Sequence, residues 1–106
     1  MHHPAELPGP RPDGDPEAMR RWAGSVRAIG KTIHDAGDSA RQSVHVATLV
    51  GPAGDDTRAR ADQLGSRTAR LAGELRHLAD AVDRTADRVE QEQDMWQRRY
   101  ERELAE

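Results

Sequence analysis

The chain is predicted to be all-α, an antiparallel two-helix hairpin in which the second helix outruns the first. Three observations predict this. Two apolar stripes run at alternating three- and four-residue spacing, one strong break at Gly51-Pro52-Ala53-Gly54 separates them, and no proline interrupts either stripe. Such spacing marks the buried side of a helix and, when sustained, a heptad seam.

The first element is a leader. Residues 1–14 contain Pro4, Pro8, Pro10 and Pro12 with Gly9 and Gly14. No helix propagates through such a run, and no apolar pattern asks it to be buried. It is read as a disordered, Pro/Gly-rich segment, with His2 and His3 as solvated residues.

Helix 1 is expected over about 15–49. Asp15 suits the cap, Pro16 the first helical position and Glu17 the positive end of the helix dipole. Its stripe runs Met19, Trp22, Val26, Ile29, Ile33, Ala36, Ala40, Ser43, Ala47. Gly24, Gly30 and Gly37 each cost on the order of 1 kcal/mol relative to Ala, so they ask for a packing reason.

The bend is expected at about 50–53, where Gly51 ends one helix and Pro52 restarts the chain. A short break makes the helices antiparallel neighbours. Helix 2 is expected over about 54–104, with Asp55 and Asp56 near its first turn. Its stripe runs Ala61, Leu64, Thr68, Leu71, Leu75, Leu78, Val82, Thr85, Val89, with Trp96 in phase. Asp80 with Arg84 and Asp94 with Arg98 have the spacing of exposed helix ion pairs. At 1.5 Å per residue the helices are ~50 and ~80 Å long, so residues after about 86 project beyond the hairpin.

Composition narrows the function. The 106 residues are 35% hydrophobic and 33% charged, with no cysteine, which excludes disulfides and cysteine metal sites. A net charge of −3, with acids and bases interleaved in sequence, offers no single-sign field for nucleic acid. No apolar run approaches the ~20 residues of a membrane span, and the N-terminus lacks a signal peptide's regions, so synthesis and folding in the cytoplasm are expected. His34, His45 and His77 fall opposite roughly residues 67, 56 and 24. No two converge, there is no phosphate loop or serine elbow, and a two-helix hairpin is expected to offer no concave pocket. A binding protein without cofactor, metal or catalysis is expected.

Beside each main stripe runs a line of mostly small residues: Ala23, Gly30, Gly37 and Val44 in helix 1, and Gly65, Ala72, Ala79 and Ala86 in helix 2, continued by Gln93 and Tyr100. Two readings are open. The small line either faces a partner, completing a four-helix bundle around a core of Met19, Trp22, Ile29, Ile33, Leu71, Leu75, Leu78 and Val82, or it tightens the hairpin against itself. Trp96 and Tyr100 are likewise either exposed anchors for a partner, or Trp96 packs under the leader.

The Asp15-Pro16-Glu17 start, the bend Leu49-Val50-Gly51-Pro52-Ala53 and the projecting arm together resemble the WXG-type helical-hairpin proteins of the type VII, or ESX, secretion pathway. The resemblance covers residues 15 to about 100. The family carries Trp-x-Gly at the bend; here the glycine matches and Leu49 replaces the tryptophan, as in the divergent secretion-associated members. Trp22-Ala23-Gly24 has the letters but lies inside helix 1. The family's tail signal is Tyr-x-x-x-Asp/Glu, whereas Trp96 is followed by Tyr100 and Tyr100 by Leu104. The resemblance implies a heterodimer with another hairpin or with the N-terminal region of a secreted effector, as export partner or chaperone. It also implies a chain that stays cytoplasmic or is secreted without a cleavable signal peptide. The other reading is a homodimeric coiled-coil scaffold without export function.

Overall fold

A computed structural model of the chain describes residues 9–47 and 49–105. They form two α-helices, α1 (Pro16–Val46) and α2 (Gly51–Ala105), laid against each other in a rod of 88 × 15 × 12 Å. The described residues contain no strand.

The start of α1 follows from its first residues. The Asp15 side chain accepts a hydrogen bond from the Ala18 N–H at 3.1 Å, and Pro16 is the first helical residue. A carboxylate here satisfies an orphan donor and meets the positive end of the dipole.

The bend differs from expectation. α1 stops at Val46, and Gly51 and Pro52 already belong to α2, so the connection is residues 47–50. Gly51 makes the turn with φ of 80°, a conformation costly for any residue with a Cβ. Leu49 then lies along α2, against Gly54, and its carbonyl accepts from Arg58 at 2.8 Å. Non-helical chain climbs up to about 3.3 Å per residue against 1.5 Å in a helix, so the connection covers the first turns of α2. The pairing register moves as a result. His45 meets Asp62 rather than residue 56, and Gly14 meets Val89. Asp55 and Asp56 fall after the first turn of α2 and pair with Arg58 and Arg60.

The seam is where expectation and structure part most sharply. Its tight layer is Ala23, Val26, Gly30 and Gly37 of α1 against Ala61, Ala72, Ala79, Ala86 and Val89 of α2. Leu75 and Val82 pack beside it. The small line is therefore the hairpin's own seam, the second of its two readings, and not a partner-facing surface. Ala23, Ala79 and Ala86 are fully buried. The expected core loses its largest members, since Trp22 is 48% exposed, Ile29 55%, Leu71 42% and Leu78 47%. Small side chains let the backbones approach closely and so turn the large ones, one residue earlier in each heptad, out to the side.

The leader is also corrected in part. Residues 1–8 lie outside the described residues, but 9–14 are held against α2. The Gln93 amide, 6% exposed, donates to the carbonyls of Pro12 (3.0 Å) and Gly14 (2.9 Å), and its oxygen accepts from Arg11 at 3.5 Å. Gly14, with φ of 133°, sits so close to Val89 that a Cβ would meet it at 2.9 Å. Backbone carbonyls of the leader thus replace α1 where α2 runs on alone.

Candidate functional site

The two flanks of the hairpin are chemically unlike. One is ionic. Arg20 reaches Asp87 at 2.7 Å and Glu90 at 2.6 Å, while Arg27 reaches Asp80 at 2.5 Å and Asp83 at 2.7 Å. Further along this flank His45 Nε2 lies 2.7 Å from Asp62. The hydrogen bonds to Asp80 and then Asp83 raise the Arg27 guanidinium above its ordinary value, and the bond from Arg27 holds the Asp80 carboxyl below the ordinary 3.8. Arg20 is raised in the same way by Asp87 and Glu90. Asp80 was expected to pair with Arg84 inside α2; Arg27, able to bridge two carboxylates across the helices, takes it instead. Asp94 and Arg98 form no ion pair among the described residues.

Heptad geometry places Trp22 and Ile29 of α1 and Leu64, Leu71 and Leu78 of α2 on the opposite flank. They stand one residue before the seam positions, whereas Arg27 and Asp83 stand four after. All five are substantially exposed. This is a strip of large apolar side chains along one side of the rod, with a saturated ionic strip along the other. Of the expected partner-facing residues, Ala23, Gly30, Gly37, Ala72, Ala79 and Ala86 are withdrawn into the seam. The strip that faces out comes from residues assigned to the core.

On the projecting arm Trp96 and Tyr100 stack with ring centroids 5.0 Å apart and planes 13° apart. Both are half-buried, and the Trp96 indole N–H donates to the Gly9 carbonyl at 2.5 Å. Trp96 therefore does sit under the leader, the second of its two readings. Arg98, Arg99 and Arg102 gather with Glu92, Met95 and Trp96 around one open groove. Leu49, Gly51 and Pro52 do not form a common surface: Leu49 is half-buried against Gly54, while Gly51 and Pro52 turn the chain into α2.

Charges are interleaved along α2, yet four of its acids gather on one face: Asp80, Asp83, Asp87 and Glu90 face the ionic flank, with Arg84 one turn from Asp80 and adding to the lowering of its carboxyl. A helical wheel reveals this gathering, whereas a running charge count hides it.

No group of three or more His, Cys, Asp or Glu side chains among the described residues is placed to hold a metal ion. His34 approaches the neighbouring Asp35, whose carboxyl is held below its ordinary value mainly by that contact. Among the described residues no helix is long and apolar enough to cross a membrane. The chain matches no family model, no curated protein and no solved structure.

Proposed function

We propose that the chain is a small binding protein that pairs with a second helical hairpin, either a separate protein or the N-terminal region of a secreted effector, as export partner or chaperone in a type VII secretion pathway. One observation carries the pairing: the large apolar strip of Trp22, Ile29, Leu64, Leu71 and Leu78 runs along a single flank at heptad spacing, with the opposite flank closed by ion pairs. A second helix pair laid on that strip would bury it and make a four-helix bundle. Burial of such side chains is worth ~1.5–3 kcal/mol each when complete, a sufficient drive for association. The pathway assignment is supported by the Asp15-Pro16-Glu17 start, the Gly51 bend and the hairpin length, which resemble the WXG-type proteins.

The pairing is tested by light scattering and circular dichroism on the chain alone and co-expressed with products of neighbouring genes. A stable one-to-one heterodimer, lost on Leu71→Glu with helicity retained, is expected; a heterodimer indifferent to Leu71→Glu refutes the assigned face. Export is tested in a host carrying a type VII system, intact and deleted. Appearance of the pair in the medium only with the system intact is the expected result, and identical distributions refute the pathway.

A further inference from the structure

We propose that the arm of α2 beyond the start of α1 is a docking ledge for a non-helical, proline-bearing segment of a partner protein, and that the chain's own residues 9–14 are its displaceable occupant. This ledge lies apart from the leucine strip, and pairing on that strip stands or falls separately. The basis is a change of chemistry along one line of α2. Gly65, Ala72, Ala79 and Ala86 are small where α1 lies against them, and Gln93 and Tyr100 follow at the same seven-residue spacing where α1 has ended. A helix uses its backbone groups internally, so against a second helix small side chains serve close approach. A non-helical strap brings carbonyls that need donors.

The arm supplies those donors. The buried Gln93 amide donates to Pro12 and Gly14, and the Trp96 indole N–H donates to Gly9. The Gln93 oxygen accepts from the Arg11 guanidinium, so among the described residues no arm side chain accepts from a backbone N–H of the strap. Such a surface selects a chain rich in carbonyls and poor in N–H groups. Proline meets both demands, because it lacks the N–H and keeps the residue before it out of helix. Pro10 and Pro12 stand in the strap, and Tyr100 stacks on Trp96 beneath it. Grooves lined by aromatic side chains read proline-bearing chains elsewhere by the same chemistry. The four hydrogen bonds, each of modest net worth, oppose the ordering of residues 9–14, so the strap lifts locally while the hairpin stays folded. Lifted, it leaves Gln93 and Trp96 without these acceptors, and a second segment of the same chemistry supplies them. A helix presents no free carbonyls along its length and does not fit.

The probe is a fluorescein-labelled peptide, Gly-Pro-Arg-Pro-Asp-Gly, titrated with the full chain by fluorescence anisotropy. Gly14→Val unseats the strap without touching the donors of the ledge, since φ there is 133° and a Cβ would meet Val89 at 2.9 Å. With helicity unchanged, this variant should bind the peptide about tenfold tighter than the unaltered chain, whose tethered strap competes at an effective concentration in the millimolar range. Adding Gln93→Ala should abolish the gain. A peptide with alanine in place of both prolines should bind about fivefold weaker, because it is less ordered when free and brings two further N–H groups. In the unaltered chain, millimolar peptide should raise amide exchange at Arg11, Asp13 and Gly14, a readout that needs no variant. Absence of both the Gly14→Val gain and the rise in exchange would overturn the ledge. A gain that survives Gln93→Ala would overturn the assignment of its donors, and equal binding of the alanine peptide would overturn the selection for proline.

Discussion

Gly37 is the position where the close approach of the helices can be measured. A Cβ built there would lie 1.9 Å from the Thr68 hydroxyl oxygen, 2.6 Å from the Thr68 Cβ and 2.8 Å from its methyl. Rotating Thr68 removes the first and third clashes but not the second, so the helices must part locally. The Thr68 hydroxyl also donates to the carbonyls of Leu64 and Gly65, both at 3.0 Å, and resists being turned. Overpacking of this kind costs ~1–3 kcal/mol. Replacing a helical glycine by alanine returns about 1 kcal/mol. Gly37→Ala should therefore destabilise the hairpin by up to ~2 kcal/mol. Gly24→Ala has the same chemistry with nothing within 4 Å of the added carbon, so it should stabilise by about 1 kcal/mol. At ~4–8 °C per kcal/mol for a domain of this size, the melting temperature of Gly24→Ala should rise, that of Gly37→Ala should fall, and the two should end ~4–24 °C apart. Thermal unfolding followed by far-ultraviolet circular dichroism measures both. The reciprocal variant Gly37→Ala with Thr68→Gly should recover most of the loss. Two single variants that shift together, or a reciprocal variant no better than Gly37→Ala, would refute the placement of Gly37 in the seam.

Gly51→Ala forces a side chain into a φ of 80° and should cost ~1–2 kcal/mol in urea unfolding, although the added carbon meets nothing within 4 Å. A neutral result would mean that the turn relaxes to negative φ. Gln93→Ala removes all three of its hydrogen bonds to the leader and should raise amide exchange at residues 9–14 while leaving exchange in the middle of α2 unchanged; unchanged exchange throughout would show that Gln93 does not hold the strap. The Asp80 carboxyl is held below 3.8 by Arg27, so its contribution to stability is complete above that value and fades as the pH falls through the lower folded one. Urea midpoints should therefore drop below about pH 4, and Arg27→Gln should make the drop smaller and return the Asp80 titration toward 3.8; a titration unmoved by that substitution would break the assignment.

The elements were legible in the sequence, and the phase of the seam was not. Asp15-Pro16 announces the start of α1 through cap chemistry that works locally, and Gly51 announces the turn because few other residues adopt its φ. The seam is harder because each helix carries two candidate lines one residue apart. Trp22 adjoins Ala23, Ile29 adjoins Gly30, Leu71 adjoins Ala72 and Leu78 adjoins Ala79, so heptad spacing fits either line equally well. Hydrophobicity favours the large line, which is why it was assigned to the core. Closeness of approach favours the small one, and spacing alone does not express it. The leader was misread for a related reason: it has no apolar pattern, and it is held through its carbonyls by Gln93 and Trp96, which composition does not show.

Charge resolves the phase that apolarity leaves open. With the small line in the seam, Arg20 and Arg27 flank α1 on the side where α2 presents Asp80, Asp83, Asp87 and Glu90, and each guanidinium bridges two carboxylates. With the large line in the seam, the same residues rotate by roughly one heptad position, about 50°, toward solvent, and the bridges across the helices open. The acids of α2 would then sit beside one another along an exposed face without their counter-ions. Exposed ion pairs are individually worth ~0–1 kcal/mol, but here they need only choose between two packings of similar spacing. The choice leaves the leucines of α2 and Trp22 and Ile29 of α1 outside. A hairpin whose charges select the small seam keeps its large apolar side chains together on one flank, in the arrangement a second helix pair can cover.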